Sequence, residues 1–553
     1  MYQKAYDAVI FGGGHHGTIM ATYLAKAGMS VGVFERTDRL GGGAVTEVGP
    51  VPGFKQDFCA HFTRFYGHPA YHDFNLYDEG LRYVVPETGT GILFDDGSHF
   101  LGYPAWVLAD PKNGTVEYSQ ENVEKTYNNI ALFSKTDAET YRDLTMKCKE
   151  KWGPAFNQQR YSEPLAWGAP GPLEKLCDDP DSGLEHVMRY MTVKQLARYF
   201  FESPELRILF IRNAITSCCC QMDDVMGLQG MFGTLTICLS WSPPSIAIGG
   251  TEAITNALVS AGKKMGVEYY TDLPVSKINV ENGTARGITL ENGDKITARR
   301  VVVADVGIPQ LMHRLLGGDY VTERTKRLMN ATLFDRSQVL WGHLAVHELP
   351  NYTGSDTEPD LNRTYRLYLA PKDVGYFEDK YWHEACLMGF PSQLNILATP
   401  DSIWDPSRAA EGKHNLWIEE VTCPLRYFSY KEWRELRDEF VNNPLQPTWE
   451  EFAPNMTKEN IIGTRIYTPM DLFETHPDMI EGSFTRQAHI ASQTQSFRGL
   501  PELADYRTPV KNLYACESSL QGGQGIARGS SYQAYRSIAE DIGLPRVWEK
   551  WGY

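Results

Sequence analysis

The sequence predicts an α/β fold whose nucleotide-binding domain is assembled from separated stretches of chain, and three observations carry that expectation. A glycine-rich turn joins the first strand to the first helix, alternating apolar runs broken by Asn-Gly turns lie near the middle, and a second glycine-rich turn precedes the last helix. At 553 residues the chain exceeds what one hydrophobic core ordinarily supports, so at least two lobes are expected.

Ala5 to Phe11 reads as a buried strand, followed at once by Gly12-Gly13-Gly14-His15-His16-Gly17 and a helical run from Thr18 to Ala27. This is G-x-G-x-x-G at a strand-to-helix turn. Gly12 permits the tight turn, Gly14 lets backbone amides approach a pyrophosphate, and Gly17 allows close helix packing, with phosphate charge favoured at the helix N-terminus. Amides do the binding in such a loop, so the His15 and His16 side chains are expected to pack or cap. A second strand, Ser30 to Phe34, ends in Glu35, which lies 18 residues after Gly17. That is close to the spacing of about 20 residues for a carboxylate on a ribose hydroxyl. These residues leave NAD and FAD both open, because each carries an ADP moiety on the same unit. Arg39-Leu40-Gly41-Gly42-Gly43-Ala44 then adds a second amide-rich loop that can wrap the rest of a longer dinucleotide, which points to FAD.

Asp7 to Gly28, reading DAVIFGGGHHGTIMATYLAKAG, resembles the opening of the phytoene-desaturase-like (carotenoid desaturase and isomerase type) FAD oxidoreductases. The tail resembles that family's closing motif at Tyr506-Arg507-Thr508-Pro509, at Asn512 to Glu517 and at Gln521-Gly522-Gly523-Gln524-Gly525-Ile526. The resemblance covers both ends and the segment 249–305, and thins out elsewhere. It implies a Rossmann-like FAD-binding domain of the glutathione-reductase type, discontinuous and with a β-meander, over 1–105, 245–325 and 481–553. An α+β substrate domain over 106–244 and 326–480 goes with it. The implied FAD contacts are Gly12, Gly14, His15, His16, Gly17, Glu35, Arg36, Gly42, Gly43 and Ala44, with the backbone of Val275 at the adenine. Glu517 is implied at the ribityl or pyrophosphate portion, and the amides of Gly525, Ile526 and Ala527 at the isoalloxazine. Cys516 departs from the family's usual Gly, and Arg528 and Ser531 stand where Gly is common, which narrows or polarises the pocket and weakens the inference to a polyene.

After Trp241-Ser242-Pro243-Pro244, Gly249-Gly250-Thr251 opens an amphipathic helix to about Met265. Strand-like Val267 to Tyr270, Val275 to Val280, Ala285 to Leu290 and Lys295 to Ala304 follow, with turns at Asn282-Gly283 and Asn292-Gly293, and they read as the meander. Residues 106–244 are mostly helical by pattern, with Ser203-Pro204 suiting a helix start, whereas 326–480 mixes strands such as Val339 to Val346 and Leu416 to Val421 with the helical Tyr430 to Val441. Only one G-x-G-x-x-G is present, so a dedicated NAD(P)H domain is not expected.

With 53 Lys plus Arg against 69 Asp plus Glu, the net charge of -16 argues against a nucleic-acid partner. Ten cysteines without paired metal spacing, three of them adjacent at Cys218 to Cys220, predict no metal site and reduced thiols in the cytoplasm. The polar N-terminus does not read as a cleavable signal, and the apolar stretch Gly227 to Trp241 is shorter than the roughly 20 residues of a membrane helix. Peripheral membrane contact stays open.

The expected function is that of an FAD-dependent dehydrogenase or oxidase that desaturates or oxidises an apolar or aromatic small molecule by hydride transfer to flavin N5, with oxygen or a quinone as acceptor. A flavin-dependent non-redox isomerase of a polyene and a non-catalytic flavin-bound carrier are the alternatives. His61, within the DFCAHFTR run from Asp57 to Arg64, is a candidate base, set against a hydrogen-bonded structural role. Tyr532 is a candidate pocket residue, set against core packing.

Overall fold

The computed structural model describes residues 4–523 and 525–552, so residues 1–3 of the polar N-terminus and Gln524 of the closing motif lie outside the described residues. The strand Ala5–Phe11 is buried on both faces, as its apolar run requires, and pairs in parallel with Val31–Phe34 on one side and Lys295–Ala304 on the other. Lys295–Ala304 also pairs in parallel with Leu513–Ala515 and antiparallel with Thr284–Leu290, which pairs in turn with Val275–Glu281. Glu268–Tyr270 completes the seven-stranded sheet against Val31–Phe34. Asn282 at φ 50° and Gly283 at φ 72° close the meander's first hairpin in the left-handed conformation that Asn-Gly favours. The helices His15–Lys26, Glu252–Lys264 and Ser530–Ile542 share one apolar core with this sheet.

The register sets the position of the site. Phe11 lies opposite both Phe34 and Ala304, and Ala304 opposite Ala515, so these parallel strands end along one edge. Gly12, Glu35, Asp305 and Cys516 each follow the end of one of those strands, on the carboxyl edge where open parallel sheets bind ligands.

A second seven-stranded sheet runs in the order Ile461–Tyr467, Gln338–Val346, His414–Thr422, Ile396–Thr399, Arg366–Ala370, Thr90–Phe94, His99–Leu101. Its last two strands precede residue 105 in the chain yet belong here. Its pairings are antiparallel except between Arg366–Ala370 and Thr90–Phe94. One face carries the helices between residues 120 and 238, and the other carries Tyr430–Phe440 and Gln446–Phe452. Ser203 stands at the N-cap of a helix that opens with Pro204 at its first position, and the apolar stretch forms the helix Gly227–Cys238. Among the described residues no helix is long and apolar enough to cross a membrane.

A buried charge cluster joins the two sheets. The Asp57 carboxylate accepts from the Thr251 N–H at 2.8 Å on one oxygen and from Arg408 Nη1 at 2.7 Å on the other. Arg408 also meets Asp401 at 3.3 Å and Asp405 at 3.3 Å, and all these side chains are almost fully buried. Burial alone would raise the Asp57 pKa, but the guanidinium of Arg408 and the ring of His61 hold it well below the usual carboxylate range. Arg408→Met strands these carboxylates without their cation and is expected to cost about 3–5 kcal/mol in urea unfolding. Arg434→Met, at an exposed ion pair 3.7 Å long, should cost at most about 1 kcal/mol.

Candidate functional site

The first cavity, of about 240 Å³, lies on the carboxyl edge of the parallel strands. Gly12, Gly14, His15, His16, Glu35 and Arg36 line it, joined by Gly42, Gly43 and Ala44 of the second loop, by Val275 of the meander, and by Gly525 and Ile526 of the closing turn. The sequence therefore named residues from four segments that fold onto one space. Gly17 and Glu517 lie behind its wall. The Gly17 N–H donates to Asp305 Oδ2 at 2.8 Å, while the Glu517 carboxylate accepts from the Ser519 N–H at 2.8 Å.

Gly12 has φ +92°, and a Cβ there would collide with the Asp305 carbonyl, so only glycine fits. The Glu35 carboxylate accepts from the Gly13 N–H at 2.6 Å and from the Thr37 N–H at 2.9 Å. It accepts a third bond from the Thr37 hydroxyl at 2.9 Å, so about one of its roughly four lone-pair positions stays free to accept from another hydroxyl. Burial pushes the His15 pKa down to about 4 and that of His16 further below its ordinary value, so both rings are neutral. Both leave a buried Nε2 without a hydrogen-bond partner among the described residues. His16 Nδ1 lies 3.4 Å from the Ser531 hydroxyl.

A second, larger cavity of about 720 Å³ has many aromatic residues in its wall, among them Phe62, Trp106, Phe156, Phe232, Trp341 and Trp417. It shares Cys59, Ala60, Phe484, Gly525 and Ile526 with the first cavity, and Ala527 and Arg528 line it alone. His61 is on its wall, with its ring stacked on Trp417 at 4.2 Å and 7°. Each of its nitrogens is engaged: Nδ1 lies 3.0 Å from Asp57 and Nε2 3.0 Å from Asp401. Burial opposes a charge on this ring, but Asp401 and Asp57 raise its pKa, and a ring so held offers no lone pair to a substrate. His61, His343 and Asp401 bring metal-ligand atoms within 4.8 Å of one another, yet Arg408 neutralises the same carboxylate. Tyr532 lines neither cavity. It is buried on the helix Ser530–Ile542, 5.6 Å from the Tyr23 ring and 6.1 Å from Tyr161.

Comparison with known proteins decides the family, since the model of the flavin containing amine oxidoreductases matches residues 17–306, more than half of the chain. The chain belongs to that family. It is an FAD-dependent oxidoreductase, and its sequence is similar to that of carotenoid desaturases. One of the polypeptides of limonene dehydrogenase from Castellaniella defragrans is 24% identical, over 99% of this chain and 96% of its own. The 1-hydroxycarotenoid 3,4-desaturase of a Flavobacterium species is 26% identical, over 94% and 96%. Pyridine nucleotide-disulfide oxidoreductase domain-containing protein 2 of Rattus norvegicus is 26% identical, over 97% and 94%. A solved putrescine oxidase with putrescine bound shares the fold at a TM-score of 0.56 and 15% identity, covering 97% of this chain and 99% of its own.

The first cavity suits FAD by its own chemistry. The glycine turn at a helix N-terminus, the partnerless nitrogens of His15 and His16, and the cations Arg36, Arg314 and Arg486 on its wall together offer donors to a dinucleotide diphosphate. Three of its groups escaped the sequence reading. Asp305 follows the strand Lys295–Ala304 and was legible only as a strand end, whereas Arg486 and its ion-pair partner Asp478 carry no local signal. Desolvation raises the Asp305 pKa to about 7 and the Glu517 pKa to about 7. Both carboxyls are thus mainly neutral below that pH and mainly anionic above it, where Asp305 adds negative charge beside the phosphate loop. FAD affinity of the apoprotein, followed by quenching of flavin fluorescence, should therefore fall about tenfold between pH 6 and 8, the size of one pKa unit of coupling. Asp305→Asn should flatten that fall.

Proposed function

We propose that this oxidoreductase dehydrogenates an apolar or aromatic small molecule held in the larger cavity, by hydride transfer to flavin N5. The observation that carries the reading is the meeting of the two cavities at Cys59, Ala60, Phe484, Gly525 and Ile526, which places an aromatic chamber against the end of the dinucleotide cavity. Bound FAD supplies the two-electron acceptor, and the protein supplies orientation, a dry wall and a place for the proton. Apolar substrates are also the ones in the names of the limonene dehydrogenase and the carotenoid desaturases. In this reading the electron acceptor is oxygen or a quinone, and peripheral contact with a membrane surface is the route to an apolar substrate.

A hydride leaves a proton behind, and Glu419 is the single carboxylate among the residues lining the chamber. One of its oxygens accepts from Trp417 Nε1 at 3.1 Å, which fixes the carboxylate on the same wall. We assign it the proton. His489 also lines the chamber; burial lowers its pKa well below the ordinary value, and neither ring nitrogen has a partner among the described residues. It is a neutral ring available to hydrogen-bond a substrate. His61, with both nitrogens committed, positions Trp417.

The test is anaerobic mixing of the yellow holoprotein with terpenoid, polyene and phenolic candidates, read by flavin bleaching and product mass. A product lighter by two hydrogens is expected with a bleached flavin, and an isomer formed with the flavin unchanged would refute dehydrogenation. Glu419→Gln should slow bleaching by about 10²-fold or more while flavin content stays the same.

A further inference from the structure

The chamber carries a charge that its apolar walls do not require. The whole chain has a net charge of -16, yet Arg64, Arg160, Arg366 and Arg528 all line this cavity against the lone carboxylate Glu419. They come from four separate segments, so the clustering is a product of the fold. Arg64 and Arg366 also line a recess of about 20 Å³ that shares Phe62, Thr63, Thr236 and Ser242 with the chamber. That recess has room for one small polar group and is walled by hydroxyls and guanidinium. Neither arginine lines the dinucleotide cavity.

Two other buried arginines are paired with carboxylates, Arg408 with three aspartates and Arg486 with Asp478, and Arg212 and Arg498 are held by backbone carbonyls instead. Arg366, only 9% exposed, packs its guanidinium 3.7 Å from the centroid of the Phe62 ring and leaves Nε without a hydrogen-bond partner among the described residues. Neither Arg64 nor Arg366 forms an ion pair among the described residues. Burial pushes the Arg64 pKa down to about 10, and the neighbouring cations Arg366 and Arg160 act in the same direction. A buried Arg366 and a partly buried Arg64 without an ion-pair partner among the described residues carry a desolvation cost, and an anion arriving with the ligand offsets it.

We propose that Arg64 and Arg366 bind a carboxylate of the substrate in this recess, so that the molecule oxidised is an amphipathic organic acid with its apolar body along the aromatic walls. The proposal rests on the reading of the larger cavity as the substrate chamber. A guanidinium matches a carboxylate in a two-point fork, and the match is stronger where water is excluded. The relatives named for limonene and for a 1-hydroxycarotenoid, neither of them an acid, make the carboxylate the property in which this chain would differ.

The holoprotein, its FAD content measured by release on denaturation, is titrated by calorimetry with 2-naphthoate and with oleate, each against its methyl ester. Each carboxylate is expected to bind at least about tenfold more tightly than its ester, with the margin shrinking as salt is added. An Arg64→Gln/Arg366→Gln double variant of equal flavin content should lose that margin. Equal or tighter binding of the esters by the wild-type protein, or no carboxylate binding at millimolar concentration, overturns the proposal without needing any variant. So does a double variant that keeps the preference, including one in which only the flavin's reduction potential moves. A protein that releases no flavin overturns the chamber reading instead, whereas a flavin-loaded protein indifferent to the carboxylate overturns the acid alone.

Discussion

The contact between Gly12 and the carbonyl of Asp305 joins parts of the chain almost three hundred residues apart, and the dinucleotide cavity exists only where they meet. A side chain at position 12 would push the loop away from the strand end, and the Gly17 N–H would lose the Asp305 carboxylate that fixes the first turn of its helix. Glu35 reaches the same loop from the neighbouring strand through the Gly13 N–H. Three strand ends are thus tied to one glycine turn, and the parallel register is what brings them to a common edge.

The second sheet is held to this nucleus by polar contacts as well as apolar ones. A buried cluster such as Asp57, His61, Asp401 and Arg408 is weak as a source of stability, because desolvation offsets most of its Coulomb attraction. Its consequence is geometric, since each group has a fixed partner and misplacing one strands a charge. His61 shows the effect on the site: its two carboxylates orient the ring, and the ring lies flat on Trp417 at the chamber wall. The residue most suited by chemistry to be a base is spent on holding a wall.

The parts of the fold legible in the sequence are those in which one short segment determines its own conformation. The glycine turn, the strand ending in Glu35, the Asn282-Gly283 hairpin and the Ser203-Pro204 helix start are all of this kind, and the structure has each in place. Roles that depend on distant partners were not legible. Nothing near His61 in the chain announces Asp401, and nothing near Arg486 announces the phosphate loop. Tyr532 read as a pocket residue because it follows the closing turn, but its place in the first turn of the helix Ser530–Ile542 directs it toward Tyr23 and away from both cavities. Thr90–Phe94 and His99–Leu101 could not be assigned to a sheet from pattern alone, because strand periodicity does not say which sheet a strand joins.

The distribution of charge follows from the same distinction between what composition reveals and what folding decides. A net charge of -16 describes the chain as a whole and, taken alone, suggests an interior indifferent to anions or hostile to them. Folding separates the charges, gathering four arginines around an aromatic chamber with a single carboxylate. Low-dielectric walls lengthen the reach of those cations, so a field of opposite sign to the protein's overall charge persists inside the chamber. An anion is repelled by the acidic exterior at long range and attracted only once it enters, which favours ligands whose apolar part drives entry and whose charge then selects the pose. On the proposal made above, the aromatic surface would set how tightly a molecule is held, and the guanidinium groups would set which of its ends faces the flavin.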